Sequence, residues 1–159
     1  MQIEYFPDIA GDRRVGLVFV QTLADLVAIP KLATAHFVLV LAADARGSSD
    51  TALHQFTTDL VTKGVSYACC WGPDCERMEL SFDWADITIN DPGDDVIITT
   101  SHPDEAWREA IWFGVTVAFP TDRYAAETGS VVIAIVGNDS WAAQAREYLK
   151  EEVPMRDEA

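Results

Sequence analysis

The chain has 159 residues and a mass of 17.5 kDa, which fits one domain large enough to bury a core without metals or disulfides. Hydrophobic residues make up 49% and charged residues 23%, which excludes a globally disordered chain. Eleven Lys and Arg against 26 Asp and Glu give a net charge of −15 and a pI near 4.3, the wrong sign for a nucleic-acid backbone or an anionic membrane as main partner.

In chain order, residues 1–12 read as an added edge strand, and 15–20 as the first β-branched run. Thr22 is placed to cap a helix over 23–29, which Pro30 ends. A second run, 37–42, leads to Ser49 and Asp50, which open a helix carrying Leu53, Phe56 and Leu60 on one face, and Gly64 stops it. The run 65–70 ends at Gly72-Pro73, which opens a helix with Cys75, Met78 and Phe82 on one side. Residues 85–93 read as an acidic connector holding a short strand at Ile87-Thr88-Ile89. The run 96–100 is followed by Ser101-His102-Pro103-Asp104, a helix-start signal, and by a helix to about Ala118 that is apolar nearly all round. The last run, 131–136, precedes Asn138-Asp139-Ser140, which cap a helix over 141–150.

Five β-branched runs alternating with helical segments predict an α/β fold. The expected form is a three-layer sandwich, with a mostly parallel sheet of about five strands in flavodoxin-like or Rossmann-like order. The whole of 1–159 is expected to be one domain, with 152–159 a flexible tail. No apolar run approaches the roughly 18 residues that span a bilayer, and the first eight residues lack the basic and apolar regions of a secretory signal. Three clustered cysteines, Cys69, Cys70 and Cys75, are an odd set that fits a reduced, cytoplasmic setting better than a disulfide scaffold.

Open parallel sheets bind ligands beyond the carboxyl ends of their strands. Those ends collect Asp44, the turn from Cys69 to Glu76, Ser101-His102, and Gly137-Asn138-Asp139. If the protein is an enzyme, Cys70 and Cys75 are the candidate nucleophiles, with His102 as base and Asp139 in support. Asp74 and Glu76 oppose a thiolate at Cys75, and a packed, structural cysteine is the plainer expectation. For His102 the plainer expectation is a helix-start residue bonded to a carboxylate or to backbone. Zinc on Cys70, Cys75 and His102 lacks a local fourth ligand, so Asp44, His54 or Asp74 would have to be recruited from elsewhere, and no metal is expected. Phosphate-loop and dinucleotide fingerprints are missing from the sequence, and no cofactor is expected.

Charge is the remaining signal. Residues 74–109 hold eleven acids and two bases, a net −9, with Trp71, Trp84, Trp107 and Trp112 in or beside them. Carboxylates interleaved with aromatics suit an interface for a basic protein, with rings as anchors and acids steering the encounter. The expected binding residues are Trp71, Asp74, Glu76, Asp83, Trp84, Asp86, Asp94 and Asp95. The plainer alternative is a solvated acidic face with the rings in the core.

The turn Trp71-Gly72-Pro73-Asp74-Cys75-Glu76-Arg77 resembles a motif of small bacterial proteins grouped as a domain of unknown function. The likeness extends through Thr99-Thr100-Ser101-His102 and Ala118-Phe119-Pro120, about half the chain. It implies a bacterial, cytosolic origin and transfers no catalytic or binding residue. Two classes of function follow. The first is an acidic inhibitor or immunity-type protein that neutralises a basic toxin or nuclease. The second is a small Rossmann-like enzyme or ligand-binding domain using the Cys70–Glu76 turn with His102. A homo-oligomeric structural or regulatory subunit stands close behind.

Overall fold

The β-branched runs do pair into one sheet, and the computed structural model describes residues 1–90, 93 and 95–151. Its strands are β1 (Glu4–Ala10), β2 (Arg13–Val20), β3 (His36–Ala42), β4 (Val65–Trp71), β5 (Ile98–Ser101) and β6 (Thr128–Val136). Its helices are α1 (Leu23–Leu26), α2 (Asp50–Lys63), α3 (Cys75–Asn90), α4 (Trp107–Thr116), α5 (Asp122–Ala125) and α6 (Asp139–Glu151). Among the described residues the sheet order is β1-β2-β6-β3-β4-β5, antiparallel at β1–β2 and parallel elsewhere.

Strand side chains alternate faces. Leu39, Leu41, Ala68 and Cys70 join one apolar cluster with residues of α1, α2 and α3. Val38, Val40, Tyr67 and Cys69 join another with residues of α4 and α6. Helix ends follow the local chemistry. Thr22 and Asp25 form a capping box on α1, Ser49 Oγ accepts from the Ala52 N–H, and Gly64 closes α2 with a φ of 119°. Arg13 reaches from β2 to the carboxyl end of α4, donating to the carbonyls of Val115 at 2.6 Å and Ala118 at 2.8 Å.

The strands ending at Ala42, Trp71, Ser101 and Val136 lie side by side in the mostly parallel sheet that the sequence predicts, and residues near the N-terminus supply an edge. Three local expectations are corrected. The run 96–100 is shifted and shortened: only 98–101 pair, and β5 is an edge beside β4. Residues 87–89 are not a strand but the last turns of α3, where Thr88 Oγ1 bonds back to the Trp84 carbonyl. The helix expected from Ser101 begins at Trp107, because His102 turns into the core and residues 102–106 form a tight connection. The tail expected at 152–159 lies outside the described residues.

Candidate functional site

The Trp71–Arg77 turn joins β4 to α3 and also clamps the loop after β3. The Ala43 N–H donates to the Trp71 carbonyl and the Ala45 N–H to the Pro73 carbonyl. Arg77 donates to the carbonyls of Ala45 and Ser48 and pairs with Asp74 and Asp50 at 2.8 Å each. The motif residues most distinctive in the sequence therefore hold two strand ends together. Asp74 spends its carboxylate on Arg77, whereas Glu76 is exposed.

The candidate nucleophiles lie inside the protein. Cys69, Cys70 and Cys75 are all buried and free of disulfides. Burial pushes the Cys69 thiol up to about 12 despite the Thr100 hydroxyl and Arg13, which act the other way. Burial likewise raises Cys70 well above its ordinary value, with neighbouring acidic groups adding to the effect. Cys75 is raised first by burial, against the backbone N–H groups of His102 and Cys75, with Glu76 and Glu79 reinforcing the rise. Native protein is expected to react slowly with thiol reagents near neutral pH and to expose all three thiols once unfolded, a contrast that Ellman's reagent reads directly. Rapid native labelling contradicts this.

The His102 N–H donates to the Cys70 carbonyl at 3.0 Å, but the two side chains leave on opposite faces of the sheet. Cys70 packs on the α2–α3 side of the sheet, while the His102 ring lies 4.9 Å from Phe113 on the α4 side. His102 is 5% exposed; its Nδ1 lies 2.7 Å from Glu105 Oε2 and its Nε2 lies 2.9 Å from Thr100 Oγ1. Both ring nitrogens are thus engaged in holding the 102–106 turn. Asp139 is exposed at the start of α6, on another strand end. Among the described residues, no group of three His, Cys, Asp or Glu side chains is arranged to hold a metal ion.

The expected binding residues divide between the two faces. Trp71 points to the α4–α6 side, where its ring stands 5.0 Å from both Trp107 and Trp141. Its Nε1–H donates to the Glu105 carbonyl at 2.8 Å. Asp86, expected to be exposed, is 2% exposed: its carboxylate accepts from the Ile97 N–H at 3.0 Å and from Asn90 Nδ2 at 2.7 Å. It secures the return of the chain toward β5. Asp95 is exposed, and Asp94 lies outside the described residues.

What stays on the surface of α3 is a two-part face. Leu80, Trp84 and Ile87 are 55%, 56% and 55% exposed. Their i, i+4, i+7 spacing makes them one stripe. Glu76, Glu79 and Asp83 lie on the adjoining flank at i, i+3, i+7: Glu76 is exposed, and Glu79 and Asp83 are half-buried, with the Thr99 hydroxyl 3.1 and 2.6 Å from their carboxylates. Beside Trp84, α2 and α3 enclose a groove of about 530 Å³ whose lining includes Asp50, Leu53, His54, Leu80 and Thr88. The sequence singles out Glu76, Asp83 and Trp84 but not Glu79, Leu80 or Ile87. The signal of Leu80 and Ile87 was present as apolar residues out of phase with Cys75, Met78 and Phe82.

Asp83 carries an electrostatic cost. Burial raises its carboxyl pKa, the Thr99 hydroxyl opposes the rise, and the like charges of Glu79 and Asp86 add to it. An acid raised on folding holds its proton more tightly in the native state than in the unfolded one. Its ionisation therefore removes stability as pH climbs through the carboxylate range. Asp83→Asn is expected to raise the urea midpoint near neutral pH, with the gain fading at about pH 3, where both states are protonated. An equal effect at both pH values contradicts that origin.

The chain is a mixed α/β protein built on an open, mostly parallel sheet. The chain belongs to a family described as a domain of unknown function, DUF7684, whose family model matches residues 18–152. Comparison with curated proteins gave no match. No helix among the described residues is long and apolar enough to cross a membrane.

Proposed function

We propose that this is an acidic binding protein of the inhibitor or immunity type, acting in the cytoplasm, that neutralises a basic protein partner through the outer face of α3. The fold is read as a three-layer sandwich of Rossmann-like character, a rigid platform for that helix. The observation that carries the reading is the exposed Leu80–Trp84–Ile87 stripe running beside Glu76, Glu79 and Asp83. Soluble surfaces rarely leave three large apolar side chains aligned on one helix without a partner. The carboxylates along its flank select a cationic one. The cost carried by Asp83 points the same way, since a surface tuned for folding alone would discard it.

A second copy of the chain suits the face less well. A two-fold contact through α3 would set the same acids against one another. Trp71 faces the other side of the sheet, Asp86 is buried and Asp74 is paired with Arg77, so these three are left out of the interface in this reading. The nucleophile reading loses support because the three thiols are buried and the side chains of Cys70 and His102 lie on opposite faces of the sheet.

The test is affinity capture from the native host with the wild-type chain and with a Leu80→Ser, Ile87→Ser variant. A basic protein retained by the first, released by salt and absent from the second supports the proposal. Equal retention by both, or a partner with no excess of positive charge, overturns it.

A further inference from the structure

β6 lies between β2 and β3, yet the helices that follow these three strands do not share one face. α1 and α2, after β2 and β3, pack on one side, whereas α6, after β6, packs on the other. The carboxyl end of β6 is therefore left uncovered between α1 and α2, and α1 has only four residues with which to roof it. Open sheets bind ligands where neighbouring strands send their connections to opposite faces. A cavity of about 640 Å³ lies here, within the size range of small-molecule sites.

Its walls have two characters. Leu23 of α1, Val27 just after it, Phe56 of α2 and Val136 at the end of β6 supply an apolar surface, and all but Phe56 are only half-buried. Asp44, Gln55 and Asp59, with Thr22 and Ser48, supply the polar part, and no Lys or Arg lines the cavity. Asp44 is paired with Arg46 at 2.8 Å. Asp59 accepts from Gln55 Nε2 at 3.0 Å and, among the described residues, pairs with no cation. A phosphate or carboxylate ligand would meet Asp59 without a counter-charge. An ammonium group would find a carboxylate, and an apolar body would cover the half-buried aliphatic wall.

We infer that this cavity binds a small organic amine with an apolar body, at a site separate from the α3 face. Asp59 receives the ammonium group, and Leu23, Val27 and Val136 enclose the rest.

The test uses phenethylamine and 3-phenylpropionate, which share an apolar body and carry opposite charges, titrated into the ¹⁵N-labelled chain at equal ionic strength. The amine is expected to shift, saturably, amides within 22–27, 44–48 and 52–59, and the acid to leave them in place. Ala52→Phe, at an exposed position of α2 lining the cavity, should abolish the saturable shifts while leaving the remaining spectrum folded. Asp59→Asn should weaken the amine about fivefold, the usual worth of one partly exposed ion pair. Equal binding of the acid, shifts scattered without saturation, or affinity unchanged in either variant overturns the inference.

Discussion

Gly72→Ala is expected to lower the folding free energy by about 3 kcal/mol or more, since backbone strain and a core clash add. Gly72 has a φ of 111°, a conformation that residues with a Cβ rarely adopt. A Cβ there would also stand against the Ala43 carbonyl oxygen, well inside van der Waals contact. That oxygen belongs to the loop clamped through the Trp71 carbonyl and Arg77, so it cannot yield without releasing the clamp. Gly47, in the same loop, has no atom within 4 Å of a Cβ. Gly47→Ala should change stability by no more than about 1 kcal/mol, in either direction. Urea unfolding of the two variants checks the contrast, and equal midpoints would refute the clamp.

Trp84→Ala is expected to leave unfolding within about 1 kcal/mol of wild type, as for other substitutions on exposed surface. The same change should weaken the basic partner by about 2 kcal/mol or more, the scale of an aromatic anchor at an interface centre. Nearly all of that loss should appear in the dissociation rate, because anchors act after encounter. Stopped-flow association and dissociation with the captured partner separates the two rates. A large loss of folding stability would instead return the ring to a packing role.

Much of the fold was legible because its signals are local. Continuous apolar runs such as 38–42 and 131–135 mark strands covered on both sides, and Ser49 and Gly64 bound α2 through chemistry within one turn. The edge position of β5 was not legible, since strand order depends on which face each connecting helix takes. The same gap hid the cavity above β6, which exists only because α6 departs from α1 and α2. Among site residues, Trp71 and Trp84 are close in sequence and look like one aromatic patch. The strand sends Trp71 to one face, while α3 carries Trp84 on the other. Asp86 reads as another solvated acid until the Ile97 N–H is seen to point at it across eleven residues. Nothing in the composition distinguishes that carboxylate from Asp83, three residues earlier.

The acids flanking Leu80, Trp84 and Ile87 are proposed to steer a cationic partner onto α3. The most direct measurement is the partner's association rate across a salt series, for wild type and for Glu76→Gln, Glu79→Gln, Asp83→Asn combined. The combined variant is expected to associate about tenfold more slowly at low salt. The two curves should converge as salt rises, with dissociation nearly unchanged. Identical rates at low salt, or a difference that persists unscreened at high salt, would contradict it.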